Sequence, residues 1–367
     1  FGKLFRITTF GESHGKAVGV VIEGIKAGMK LDKEIIQKEL NRRKPGQSKV
    51  SSSRKEKDEL EILSGVFEGK TLGTPVCIIV RNKDMRPEDY SELKDVFRPG
   101  HAGFAFLKKF GLRDHRGGGR ASARETIGRV AAGAIAKNEL RKKGIEITAF
   151  TKEAAGIKAE KIDLKEIEKN PMKCPDKKKA KEMENAVLNA KKEGNSVGGI
   201  IELRINGVPA GIGEPVFSKL DAELAKALMG IGAVKGIEFG EGFNAAKMDG
   251  KENNDEMHSV KGKIEFKTNN AGGISGGISS GQEIVLRIAV KPTSSISLEQ
   301  ETVDLNGNNR KIKIKGRHDP CICPRIIPVA EAMAALVIYD LLLMQEMRKK
   351  SKLKFAFNAG NEKKELN

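Results

Sequence analysis

The chain is poor in the residues that would tie it to several common functions. It has no tryptophan and only two tyrosines in 367 residues. The aromatic platforms on which nucleic acids stack are therefore missing, even though a net charge of +18 would attract any polyanion. Four cysteines, Cys77, Cys174, Cys321 and Cys323, give no C-x-x-C pair, and Cys321-x-Cys323 lacks a second pair to complete a metal cage. They read as reduced cytoplasmic thiols, with no structural metal. No apolar run reaches the roughly 18 residues of a membrane span. The longest candidate, Val329 to Met344, is interrupted by Glu331 and Asp340 and reads as a core helix. Nothing following Phe1 resembles a secretory leader. The expectation is a cytoplasmic protein with neither a nucleic-acid nor a membrane partner.

What is present is a composition that can bury a full core, 38% hydrophobic and 32% charged. Much of the excess charge is lysine in runs such as Lys177-Lys178-Lys179, the usual mark of a solvated face. The arginines behave differently. They cluster at 42–54, 113–124 and 317–325, beside Gly, Ser or His, a pattern suited to a small, highly anionic ligand. The densest cluster, Arg113 to Thr126, sets four arginines around Gly117, Gly118 and Gly119. Glycine permits backbone conformations in which N–H groups converge on an anion. Ser122 and Glu125 have capping-box spacing, and Ile127, Val130, Ala131, Ala134 and Ile135 continue at helical spacing towards Gly144. A helix is expected from about Ala123, its N-terminus facing the same space as Arg113, Arg116, Arg120 and Arg124.

Three histidines lie in loops beside glycine or charge: His14 in Gly-Glu-Ser-His-Gly, His101 in Arg-Pro-Gly-His-Ala, and His318 in Arg-His-Asp-Pro. A group titrating near neutrality in such a loop is a candidate acid–base station. His115 lies inside the arginine cluster, and His258 reads as exposed loop. Gly11-Glu-Ser13-His14-Gly15 has the spacing of a hydrolase nucleophile elbow, but the next element reads as a strand, Val18 to Glu23, where that elbow requires a helix.

Two distant segments share a pattern. Val18 to Glu23 leads through a glycine turn to Asp32 and a helix over 33–40, and Val197 to Glu202 leads likewise to Asp221 and a helix over 222–229. This suggests one domain over 1–367 with duplicated halves at roughly 1–150 and 196–350. The intervening Lys-rich stretch, 152–195, reads as a peripheral excursion with a short helix near 180–192. Strands are expected over 74–80, 146–149, 264–267 and 283–290, the last buried on both faces or central. Gly-rich Ala271 to Gly281 and polar Lys291 to Ser295 offer hydroxyls and N–H groups to a phosphate.

Eight blocks together resemble the chorismate synthase family: Phe10 to Gly15, Arg42 to Gly46, Ser64 to Thr71, Asp95 to Ala102, Arg113 to Thr126, Gly276 to Gly281, Lys291 to Ser295 and Gly316 to Pro320. They span almost the whole chain in the family's order. The resemblance implies an α+β fold, a β-α-β sandwich of two antiparallel sheets enclosing helices with pseudo-twofold symmetry, usually assembled as a homotetramer. It implies a lyase that converts 5-enolpyruvylshikimate-3-phosphate to chorismate and phosphate by anti-1,4-elimination, dependent on reduced FMN (FMNH2). Some relatives reduce their flavin with NADPH, but an external flavin reductase is the expectation here. By resemblance, His14, His101 and Asp319 are the catalytic residues. Ser13, Arg43, Lys49, Arg54, Ser122, Arg124 and Arg317 are substrate contacts. Arg120, Ala121, Ser122, Gly232, Ala233, Gly276, Lys291, Pro292, Thr293, Ser294, Ser295 and Arg317 are flavin contacts. Lys49 stands where many relatives carry arginine, and Gly103 stands where the family usually has an aspartate that would orient His101.

Overall fold

Stretches of alternating or β-branched apolar residues build two antiparallel sheets, and helices rich in alanine, leucine and isoleucine pack against them. The computed structural model describes residues 1–362 apart from Ser53, Lys55, Arg86 and Lys315. The first sheet contains β1 (Arg6–Phe10), β2 (Ala17–Glu23), β3 (Leu60–Ile62) and β4 (Val76–Arg81), in the order β1-β2-β4-β3. Alternation along β2 and β4 puts Val18, Val20, Ile22, Val76, Ile78 and Val80 on the buried face. The second sheet contains β5 (Glu146–Ala154), β6 (Ile157–Lys158), β7 (Gly199–Asn206), β8 (Val234–Phe239) and β9 (Ile284–Val290), in the order β8-β9-β7-β5-β6. β9 is central, as expected, but it is buried on one face only. Ile284, Leu286, Ile288 and Val290 point inward, while Arg287 on the other face pairs with Glu202 and Glu238.

The helices are α1 (Lys33–Arg43), α2 (Gly103–Phe110), α3 (Thr126–Arg141), α4 (Lys177–Lys192), α5 (Leu220–Met229) and α6 (Cys323–Glu362). α3 packs on β1, β2 and β4, α6 packs on β5 and β7, and the two helices pack on each other with α1 against both. Close approach depends on Gly133, where a Cβ would come within 2.4 Å of the Ala332 side chain. α6 is apolar and long enough over Cys323–Arg348 to cross a membrane, yet its most apolar window is wholly buried inside the protein. It is the central core helix.

Each sheet sends one strand through a glycine turn into a helix of the middle layer, β2 into α1 and β7 into α5. The two helix starts differ. Asp32 caps α1 by accepting from Glu34 N at 2.9 Å, whereas α5 begins after Lys219 without a side-chain cap and Asp221 lies inside its first turn. The 152–195 stretch is also less peripheral than its composition suggests. Lys152 to Ala154 complete β5, and α4, capped by Asp176, buries Ala180, Met183 and Val187. His258 lies not in a loop but in an exposed hairpin, Met257–Val260 with Lys263–Phe266.

Candidate active site

A cavity of about 500 Å³ lies where the start of α3, the C-terminal end of α5, the loop after β9, the loop before α2 and the start of α6 converge. That volume is within the range of roughly 300–1,000 Å³ typical of small-molecule sites. Arg43, Arg54, Arg98, Arg120, Arg124, Arg129, Arg317, Arg325 and Lys291 line it, against two lining carboxylates, Glu125 and Asp319. Such an excess of buried or half-buried cations is costly unless an anion joins them.

The glycine-rich loop forms part of this wall, but not as a simple cradle. Gly117 and Gly118 line the cavity. Gly117 has φ +67°, and a Cβ there would come within 2.4 Å of the His14 ring and 2.8 Å of Ser13 Oγ, so only glycine fits over that histidine. Of the four arginines, two face the cavity. Arg113 turns away to donate to the Leu93, Lys94 and Val96 carbonyls, and Arg116 pairs with Asp114. The capping box does not form. Ser122 Oγ accepts from Arg124 N at 3.3 Å, but Glu125 is drawn to Thr9 Oγ1 at 2.7 Å and Arg129 Nε at 2.8 Å. A 3-10 turn over Ala123–Glu125 therefore precedes α3.

His14 and Ser13 are buried one layer behind the wall, under Gly117 and against the Tyr90 ring, which meets His14 edge-on at 5.0 Å. Ser13 Oγ and His14 Nδ1 are 3.0 Å apart. Burial, then Arg54, pushes the His14 pKa below its ordinary value, with Asp114 opposing. His101 lines the cavity itself. Its Nε2 lies 2.9 Å from Arg98 Nη2, and its Nδ1 accepts from Gly103 N at 3.2 Å. A neutral imidazole accepts at one nitrogen only, so these two donors compete for it. Burial first, then Arg98, Lys291 and Arg113, pushes the His101 pKa down to about 3. A Cβ on Gly103 would lie 3.7 Å from His101 Nδ1 and 3.1 Å from Arg113 Nη1. A carboxylate there would oppose this push, and Gly103 leaves it unopposed. His318 also lines the cavity, while half-buried His115 does not.

The arginine wall is backed by carboxylates. Asp58 pairs with Arg43 and with Arg124 Nη1 at 3.1 Å, and Glu56 pairs with Arg54 at 2.9 Å. Arg317 pairs with Asp84 at 2.7 Å. Asp319 Oδ1 accepts from Ser52 N at 2.8 Å, and its Oδ2 accepts from Arg325 Nη1 at 2.5 Å. Across the cavity, the loop 291–295 is fixed by Lys291 N donating to Ala233 O, Lys291 Nζ donating to Gly100 O and Arg98 Nη1 donating to Ser295 Oγ at 3.4 Å. Arg120 donates to Gly11 O and Thr9 Oγ1, and so is held from behind.

Most residues expected at the site by resemblance do converge on this cavity. Arg43, Arg54, His101, Arg120, Ala121, Ser122, Arg124, Gly232, Ala233, Lys291, Pro292, Thr293, Ser294, Ser295, Arg317 and Asp319 line it. Lys49 and Gly276 do not. Lys49 is exposed, on a loop whose carbonyl accepts from Lys191, and Gly276 sits at a hairpin turn between Ile274–Ser275 and Ile278–Ser279. Sequence reasoning passed over Tyr90, Ser52, Asp58, Arg129 and Arg325 as site residues. Arg98 was visible in its motif but assigned no role. Asp58 stood out least, as one more charge in Arg54-Lys-Glu-Lys-Asp58.

Two histidines held neutral beside a cationic, carboxylate-backed cavity define an acid–base enzyme for small, multiply charged anions. The sequence model of chorismate synthase matches residues 5–343. The chorismate synthase of Methanosarcina mazei is 56% identical over 348 residues, covering 94% of this chain and 95% of that one. That of Bacteroides fragilis is 50% identical over 351 residues, covering 95% and 98%. A crystal structure of chorismate synthase superposes with TM-score 0.74 at 32% identity, covering 94% of this chain and 93% of that one. The chain belongs to the chorismate synthase family, lyases of the last step of the shikimate pathway.

Proposed function

We propose that the cavity converts 5-enolpyruvylshikimate-3-phosphate to chorismate and phosphate by anti-1,4-elimination, with reduced FMN required although no net redox change occurs. The observation that carries this reading is the excess of cations around one cavity, nine against two lining carboxylates and the three, Asp58, Glu56 and Asp84, that stand behind the wall. The substrate brings two carboxylates and a phosphate, and the flavin brings a further phosphate, so the ligands supply the missing anions.

In this reading Arg43, Arg54, Ser122, Arg124 and Arg317 hold the substrate's anionic groups, with Ser13 behind them. Arg120, Ala121, Gly232, Ala233 and the loop 291–295 hold the flavin. Thr293 Oγ1 supports that assignment, being buried on the cavity loop with no hydrogen-bond partner. Arg120 and the loop 291–295 would hold reduced flavin, which would supply electron density to the site when bound. His101, acted on by Arg98 and Lys291, belongs to the flavin side. His14, acted on by Arg54 and Arg124, belongs to the leaving phosphate. Asp319, fixed by Ser52 and Arg325, is held ready for proton transfer. The histidines are neutral until an anion arrives to stabilise their charged forms, which couples proton uptake to ligand binding.

Further parts of the reading are a homotetramer, an external reductase as the source of reduced flavin, a cytoplasmic location, and internal duplication of the fold. Lys49 and Gly276 enter it only through ligand-induced closure or a neighbouring subunit. Anaerobic incubation with chemically reduced FMN is the test. Equal amounts of phosphate and chorismate are expected, and binding of both ligands without turnover would overturn the reading. Turnover driven by NADPH alone would remove the external reductase.

A further inference from the structure

Arg43 ends α1, and Arg124 lies in the turn before α3, far apart in sequence. Asp58 stands behind both. Its side chain is fully buried, one oxygen paired with Arg43 Nη2 and the other with Arg124 Nη1 at 3.1 Å. Each guanidinium has further anchors: Arg43 Nη1 donates to Ala123 O at 3.1 Å, while Arg124 Nε donates to Asn82 Oδ1 at 2.6 Å and Arg124 Nη1 also lies 3.4 Å from Glu56 Oε1. Arg124 Nη2 is left buried with no partner, and so is Arg43 Nε. Asp58 itself has φ +51°, a left-handed conformation unusual for a residue other than glycine. Such a conformation persists where the surroundings over-determine it, and here Gln37 Nε2 holds the Asp58 carbonyl at 3.1 Å.

We propose that Asp58 is a positioning residue that clamps Arg43 and Arg124 into one fork for a single anionic group of the ligand. The inference rests on the reading that these two arginines hold substrate. Two guanidinium groups side by side repel, and a carboxylate shared between them both offsets that repulsion and fixes their spacing. The charges agree with this. Burial pushes the Arg43 pKa down to about 10, with Asp58 opposing, while Arg43 and Arg124 outweigh burial and lower that of Asp58.

The test compares Asp58→Asn and Asp58→Glu with the wild type at one fixed pH. It uses anaerobic kinetics with reduced FMN and calorimetric titration with inorganic phosphate. In Asp58→Asn, KM for 5-enolpyruvylshikimate-3-phosphate is expected to rise about 10-fold or more. The turnover number and flavin affinity should change little, and phosphate affinity should fall in parallel with the rise in KM. Asp58→Glu, which keeps the carboxylate, should recover much of the lost phosphate affinity and KM. Unchanged KM and phosphate affinity would overturn the clamp. So would equal losses of KM, turnover and flavin affinity in both variants, the mark of general damage. If Asp58→Asn does not fold, Arg43→Lys, Arg124→Lys and their double variant decide. A shared fork predicts that the second substitution adds little in phosphate affinity, and additive losses contradict it. Phosphate binding that depends on Asp58 in a wild type without turnover would overturn the proposed reaction and leave the clamp standing.

Discussion

Arg42 and Arg43 are consecutive residues at the end of α1, and they enter opposite kinds of charged region. Arg42 joins a balanced network, where Glu39, Glu331 and Glu168 face Arg42, Lys137 and Lys173, three acids against three bases. Glu331 also accepts from Ala149 N at 3.1 Å, tying β5 to α6. Its carboxyl, pushed up by burial but outweighed by Lys137 and Arg42, lies at about 2, and the Arg42 pKa is raised. Arg43, one residue on, joins the cavity wall, where cations are in excess, its own pKa is lowered to about 10, and buried nitrogens lack partners. One cluster is complete without a ligand, and in the proposed reading the other is completed by one. Buried charge on its own therefore does not mark a functional site, whereas uncompensated buried charge does.

The comparison can be broken from either side. The largest effect is expected in the cavity. Arg124→Ala removes half of the fork and should lower kcat/KM by about 10²–10³, the usual cost of truncating a buried charged partner, as steady-state kinetics with reduced FMN will read. Next comes the balanced network. Glu331→Gln leaves Lys137 and Arg42 with too little counter-charge and should lower unfolding free energy by about 3 kcal/mol in a denaturant titration, with activity per folded molecule retained. A ligand sharpens the contrast from the other direction. Inorganic phosphate at 100 times its Kd should stabilise the wild type by about 2.7 kcal/mol and Glu331→Gln by the same increment, but Arg124→Ala by much less.

A further contrast concerns pH. The folded-state pKa of His101 is about 3, well below the value near 6.5 of an unfolded histidine. Below pH 6.5 the unfolded chain therefore takes up a proton that the folded site refuses, and stability falls as pH drops from 6.5 towards 3. His101→Gln should flatten the apo-protein's stability profile in that window. An unaltered slope would show that His101 is not held neutral.

Local patterns in the sequence were sufficient for β2, α1, α3 and α6, and for grouping the arginine clusters with His14 and His101. What escaped notice depended on long-range partners. The capping-box spacing of Ser122 and Glu125 is real, but Thr9 on β1 and Arg129 on α3 outbid the backbone for Glu125. Arg113 and Arg116 read as ligand arginines until the Leu93, Lys94 and Val96 carbonyls and Asp114 are seen to occupy them. Asp58 carries no periodic signal, because its importance comes from two arginines that only the fold brings together. β9 reads as buried on both faces because Val285 and Ala289 are apolar, yet nothing covers Ala289 in the monomer.

The most direct measurement is a paired one on the two adjacent arginines, Arg42→Gln and Arg43→Gln, recording unfolding free energy and the affinity for 5-enolpyruvylshikimate-3-phosphate side by side. The account predicts that Arg42→Gln loses the more stability and keeps its affinity, while Arg43→Gln loses affinity by about 10-fold or more and the less stability. Equal losses of both quantities in both variants would contradict the division between a balanced charge network and one completed by its ligand.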